Sequence, residues 1–186
     1  MKISIFILIF VFLSFQQSFA QQTLISNGLH RVFLTRGDTS YEFYALIPEK
    51  KIVVQQEKMY FWYKPDTILT TKGGYSGRLL DGSYKEYFPN KNLKVKGQFS
   101  KGLKEGEWVS WYSNGQMQKV EHWKKGTREG KIISYNYQGM KVGEEFYKHD
   151  IQKGMQLQFN AVKQSFDTVY FKNGIKVIKD STTKNK

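Results

Sequence analysis

The chain has 186 residues, enough for one domain, and no cysteine, which excludes disulfides, thiolate metal sites and a cysteine nucleophile. Aromatic residues make up 16% of it and hydrophobic residues 40%, the first high and the second slightly low for a globular protein. The formal net charge is +13, from 29 Lys+Arg against 16 Asp+Glu. That balance favours anionic partners (nucleic acid, acidic lipid, acidic glycan or an acidic protein) and is equally compatible with plainly solvated lysines.

Residues 1–20 have the layout of a secretory signal. Lys2 is the charged start, Ile3 to Phe15 is apolar except for Ser4 and Ser14, and Ser18-Phe19-Ala20 offers small residues where a signal peptidase cuts. The run is too short for a bilayer core of about 30 Å. Cleavage after Ala20 is expected, with export to the periplasm, the envelope or the medium. No second apolar run follows, so no transmembrane helix is expected in the mature chain.

Residues 21–57 read as a β lead-in. Thr23 to Leu34, broken at Asn27-Gly28, and Tyr41 to Ile47 have strand composition. Arg36-Gly37-Asp38 and Pro48-Glu49-Lys50-Lys51 are turn chemistry, and Ile52 to Gln55 is a possible further strand. Arg-Gly-Asp matches an adhesion tripeptide, but three common residues in a turn recur by chance. The lead-in is expected to cap the first end of the array that follows, since terminal units of repeat proteins are atypical.

From Lys58 to Val177 the chain repeats with a period of 24, in units 58–81, 82–105, 106–129, 130–153 and 154–177. One column holds Tyr63, Tyr87, Trp111, Tyr135 and Phe159. A second holds Tyr75, Phe99, Trp123, Tyr147 and Phe171. A third runs Tyr60, Tyr84, Trp108, Ile132 and fails at Gln156. Gly82, Gly106, Gly130 and Gly154 head four units. In the third unit, Glu107 to Tyr112 is rich in strand formers. Ser113-Asn114-Gly115-Gln116 is a tight turn, and Met117 to Trp123 runs back. Pro89-Asn90-Lys91-Asn92 and Tyr137-Gln138-Gly139 take the same turn in neighbouring units. Glycine or asparagine about every twelve residues leaves no room for two stable helices.

The expected fold is therefore all-β: an elongated single antiparallel sheet built from tandem 24-residue β-hairpins. Successive hairpins pair edge to edge, because a lone hairpin is barely stable in water. Ten strands would make a sheet roughly 48 Å long. Residues 178–186 are a basic tail expected to lack fixed structure.

The units resemble MORN repeats of the variant common in bacterial proteins. Gly106-Glu107-Trp108, Trp111-Tyr112, Asn114-Gly115, Trp123 and Lys125-Gly126-Thr127-Arg128-Glu129-Gly130 carry the likeness. It covers about two-thirds of the chain, is strongest in units two and three and weakest in five. Arg78 and Asp150 depart from the connection glycine, so those two turns are expected to be shaped differently. The resemblance implies an elongated, twisted sheet of hairpins. It also implies the roles in which such repeats occur: antitoxins of toxin–antitoxin pairs, and scaffolds that touch membranes.

Reactive constellations are sparse, and no catalytic residue, cofactor-binding residue or metal ligand is assigned. His30, His122 and His149 have no partner at metal-ligand spacing. Gly73-Gly74-Tyr75-Ser76-Gly77 lacks both the spacing and the helix of a nucleophile elbow. Carboxylates such as Glu105, Glu107, Glu121 and Glu129 recur with the repeat, and a single-layer sheet offers no cleft to gather a pair of them. The row Tyr63, Tyr87, Trp111, Tyr135 and Phe159 reads as core in preference to a surface for stacking sugars or bases.

The chemistry that remains is basic. Lys101, Lys104, Lys125 and Arg128 fall in equivalent connections and are expected to line one edge as a strip for an anionic surface or acidic partner. The same residues could simply be solvated loop cations. The sequence thus points to an exported, non-enzymatic repeat scaffold for another macromolecule. An antitoxin or immunity-type partner of a toxin, and an envelope protein contacting anionic lipid or glycan, are the alternatives. No small-molecule substrate is evident, and export argues against nucleic acid.

Overall fold

The computed structural model describes residues 28–47 and 52–177. The expected signal, the start of the expected first strand (residues 23–27), the expected turn at 48–51 and the basic stretch 178–186 lie outside the described residues. Those residues form a single open antiparallel sheet of hairpin strands with no helix.

The lead-in is one hairpin, β1 (Leu29–Arg36) and β2 (Thr39–Leu46). The first unit gives β3 (Met59–Lys64) and β4 (Thr67–Lys72). Unit two gives β5 (Arg78–Tyr87) and β6 (Leu93–Ser100), and unit three β7 (Leu103–Trp111) and β8 (Met117–Lys124). The short β9 (Thr127–Arg128) ends unit three, and unit four gives β10 (Gly130–Tyr135) and β11 (Lys141–Lys148). The short β12 (Ile151–Gln152) ends unit four, and unit five gives β13 (Gly154–Asn160), β14 (Ser165–Lys172) and β15 (Ile175–Val177), the last described strand. The strand order is β1-β2-β5-β6-β7-β8-β10-β11-β13-β14-β15, with the short β9 and β12 on the same ladder.

Units two to five follow the expected edge-to-edge stacking, and the first unit does not. The lead-in strand β2 takes the place beside β5, with Phe43 opposite Tyr84. Hairpin β3–β4 leaves the row and pairs only with the start of β5, Trp62 opposite Leu79. It folds across the face of the sheet, anchored by the Phe61 N–H donating to the Gly102 carbonyl at 2.8 Å. The reason lies in Tyr60-Phe61-Trp62-Tyr63. Four aromatics in succession give a strand two apolar faces, which only a second layer can bury. Phe61 and Tyr63 pack on Phe99 and Phe43, with ring centroids 4.9 and 5.3 Å apart. Tyr60 and Trp62 face the other way, onto Leu79 and the segment from Ile52. That segment is irregular, not the strand the composition suggested. Tyrosines satisfy it: the Tyr75 hydroxyl accepts from the Ile52 N–H and the Tyr60 hydroxyl from the Gln55 N–H.

The core is the third aromatic column. Tyr60, Tyr84, Trp108 and Ile132 are all buried, joined by Phe99 of the second column and by Phe43 and Leu80. The row Tyr63, Tyr87, Trp111, Tyr135 and Phe159, expected to be core, is only half-buried. Within β5, β7, β10 and β13 the two columns stand three residues apart, so they point to opposite faces. The β3–β4 hairpin covers just one of those faces.

The second column has its own partner. Phe99, Trp123, Tyr147 and Phe171 lie directly across the ladder from Gly82, Gly106, Gly130 and Gly154. All four glycines have positive φ, from 67° to 96°, which a side chain would resist.

The connections are two-residue turns with positive φ at both positions: Lys101-Gly102, Lys125-Gly126, His149-Asp150 and Asn173-Gly174. That is the signature of a type I′ hairpin. Asp150 adopts φ 64°, so its turn has the shape of the others, contrary to expectation; short polar side chains tolerate this region. Arg78 does mark a different connection, since the loop of Gly73 to Gly77 precedes it.

Candidate functional site

The turns stack on one another at the repeat period. The N–H groups of Gly102, Gly126, Asp150 and Gly174 donate to the carbonyls of Leu80, Lys104, Arg128 and Gln152 at 2.6 to 3.1 Å. The carboxylates of Asp81, Glu105 and Glu129 accept the N–H groups of Lys101, Lys125 and His149 at 3.1, 2.7 and 3.0 Å. An acid before each unit-heading glycine was the sequence signal for this clamp. Lys153 breaks the series before Gly154.

The four cations expected to share one edge are divided. Lys101 and Lys125 stand exposed at turn tips. Arg128 is half-buried, ion-paired with Asp150 at 3.0 Å and laid over the Tyr147 ring at 4.2 Å. Lys104 leaves the edge altogether and lies on the covered face. Its Nζ sits 4.2 Å from the Trp108 ring centroid, 4.7 Å from that of Trp123 and 5.8 Å from that of Phe61. Burial holds its pKa below the ordinary lysine value, with Glu121 and Glu86 pulling the other way.

This caged ammonium opens on a cleft of about 380 Å³ between the β3–β4 hairpin and strands β7 and β8. A single layer would have had no such cleft. Met59, Phe61 and Trp123 supply apolar wall, and Lys104, Glu121, Arg128 and Asp150 supply charge. Sequence reasoning placed Lys104 by its column and missed Phe61, which completes the cage.

Tyr63 packs on Phe43 under the hairpin, whereas the opposite face of the sheet carries Tyr87, Trp111, Tyr135 and Phe159 of the half-buried row. Beside it runs a second row fixed by register: Lys96, Val109, Val120, Ile133, Glu144 and Leu157 stand successively opposite one another. Val109, Val120, Ile133 and Leu157 are half-buried. Apart from β3 lying against β7, the principal contacts among described elements run between neighbours on the ladder. Glu144 is held by Lys131 at 3.0 Å and by Lys141, and these lysines keep its carboxyl below the usual range.

Elsewhere the titratable groups are dispersed. His122 is exposed, with Nε2 3.8 Å from Glu107 Oε2 and Nδ1 3.1 Å from the Lys131 carbonyl oxygen. Among the described residues no cluster of three or more His, Asp or Glu could hold a metal ion. Ser76 lies in the irregular loop before β5, with no helix after it. No helix among the described residues is long and apolar enough to cross a membrane.

No family model matches the chain, and a search of curated proteins returns none that matches it.

Proposed function

We propose that the protein is an exported MORN-like repeat scaffold that binds another protein along the open face of units two to five, and that it acts by binding and not by catalysis. The observation that supports this reading is the pair of rows on that face. Trp111, Tyr135 and Phe159 run beside Val109, Val120, Ile133 and Leu157, and both rows are half-buried with no described element packed over them. An exposed apolar patch marks an interaction surface, and here Glu144 with its lysines Lys131 and Lys141 interrupts it between Ile133 and Leu157. Aromatic anchors supply much of the binding energy in such surfaces. The net charge of +13 favours a partner with an acidic rim, which would be drawn in at a rate that salt reduces.

The test places a charge in the stripe. Val120→Glu and Trp111→Glu alter the open face and leave the buried column untouched. Pulldown from the native envelope should lose with both variants the partner that wild type retains. Equal recovery of that partner by folded variants would remove the open face as its binding surface. Export is checked separately: N-terminal sequencing of the exported protein should begin near Gln21, and a sequence beginning at Met1 would count against it.

A further inference from the structure

Independently of the open face, we infer that the cleft under the β3–β4 hairpin is a binding site for a small organic monoanion, a carboxylate carried on an apolar body, with Lys104 as its counter-ion.

The argument starts from what Lys104 lacks. An ammonium carries three donors, and Lys104 Nζ meets rings in place of oxygens. None of its donors has a hydrogen-bond acceptor or ion-pair partner among the described residues. Ring faces attract the cation, but they leave its N–H groups without oxygen partners. The surrounding indoles add to the imbalance. Trp108 Nε1 and Trp123 Nε1 are both buried without a hydrogen-bond partner. These two buried polar atoms without a partner among the described residues are both donors, as is the Lys104 ammonium between their rings, so the complement of the cage is an acceptor.

The charge count sets the ligand's valence. Arg128 pairs with Asp150 at 3.0 Å, and Glu121 pairs with Lys119 at 2.9 Å. Glu86 is likewise taken, by the Tyr84 hydroxyl at 2.6 Å and by Lys94 at 3.5 Å. Lys104 is left as the one cation lining the cleft with no counter-ion among the described residues, so a single negative charge balances it. A phosphate dianion would bring a second charge toward Glu121 and Asp150, which also line the cleft. A carboxylate would not.

The walls set the rest of the ligand. Met59, Phe61 and Trp123 are apolar, and about 380 Å³ lies within the range of small-molecule pockets. The ligand therefore carries an aromatic ring or a short alkyl chain behind its carboxylate. Because Lys104 is half-buried, salt screens a carboxylate contact with it less than a surface ion pair. Anion binding would also raise the depressed pKa of Lys104, since a nearby negative charge favours the ammonium.

The probes are phenylacetate and hexanoate, titrated into the full chain and followed by tryptophan fluorescence and calorimetry. Trp108 and Trp123 flank the ammonium and would report its occupation. Saturable binding of either carboxylate is expected, with phenylacetamide and hexanamide at least tenfold weaker. Lys104→Met keeps the volume and the ring contacts and should lose the preference for carboxylate over amide. Thr70 lines the cleft opposite Phe61 on the hairpin; Thr70→Trp adds bulk to that wall and leaves Lys104 in place, and it should abolish binding, which provides a readout should Lys104→Met fail to fold. Absence of saturable binding by both carboxylates, amides binding as tightly as acids, or full affinity in Thr70→Trp would each overturn the assignment.

Discussion

Gly97 lies directly beneath the indole of Trp108. A Cβ built on Gly97 would fall 2.2 Å from Trp108 Cδ2, well inside any real contact. The backbone of Gly97 has no unusual φ, so glycine is required there for space alone. Trp108 is 4% exposed and stacks edge-on against Phe99 at 4.9 Å. The ring cannot retreat without disturbing the centre of the core.

Gly97→Ala should therefore destabilise the protein by about 1–3 kcal/mol, the usual cost of overpacking. Chemical denaturation would measure it. A change within about 0.5 kcal/mol, typical of surface substitutions, would mean that the ring over Gly97 is free to move.

The two tryptophans of β7 should separate in the same experiment. Trp108 belongs to the buried column, and Trp111 belongs to the half-buried row on the other face. Trp108→Ala should cost about 3–5 kcal/mol. Trp111→Ala should cost clearly less, because truncating it opens no closed cavity. Equal losses would place Trp111 in a core and undermine the open-face reading.

Acid should weaken the protein partly through Glu144. Its side chain is 11% exposed and lies between two lysines. Hydrogen bonds from Lys141 and then Lys131 depress its pKa below the ordinary 4.5. A depressed folded-state pKa contributes stability above the unfolded value, and that contribution disappears as pH falls through the folded value. The melting-temperature advantage of wild type over Glu144→Gln should be full near neutral pH and shrink once pH drops below 4.5. An advantage that stays constant through that window would show that the lysines do not hold the carboxylate.

The period of 24, the hairpins and their turns were legible in the chain because their causes are local. Asn114-Gly115 and Lys125-Gly126 carry their turn preferences in adjacent residues. The acids at 81, 105 and 129 repeat in register with the turns they clamp. The aromatic columns were legible too, but the row of Trp111 was expected to be core, and the structure buries the column of Trp108 in its place.

That choice belonged to the tertiary structure. Column alignment set Tyr60 and Tyr63 beside their counterparts in later units, as if the first hairpin were one more rung. Only the unbroken run Tyr60 to Tyr63 signalled a strand buried on both sides, and burial depends on where a partner layer lies. Once the lead-in hairpin occupies the edge of β5, the first unit has no place in the row and folds over it. Lys104 was unreadable for the same reason. By column it is equivalent to Arg128, a connection cation paired with an acid. By environment it is a caged ammonium, because Phe61 arrives 43 residues away in sequence and closes over it. Local preferences determine hairpins and turns, whereas a cleft needs two surfaces that only the long-range fold brings together.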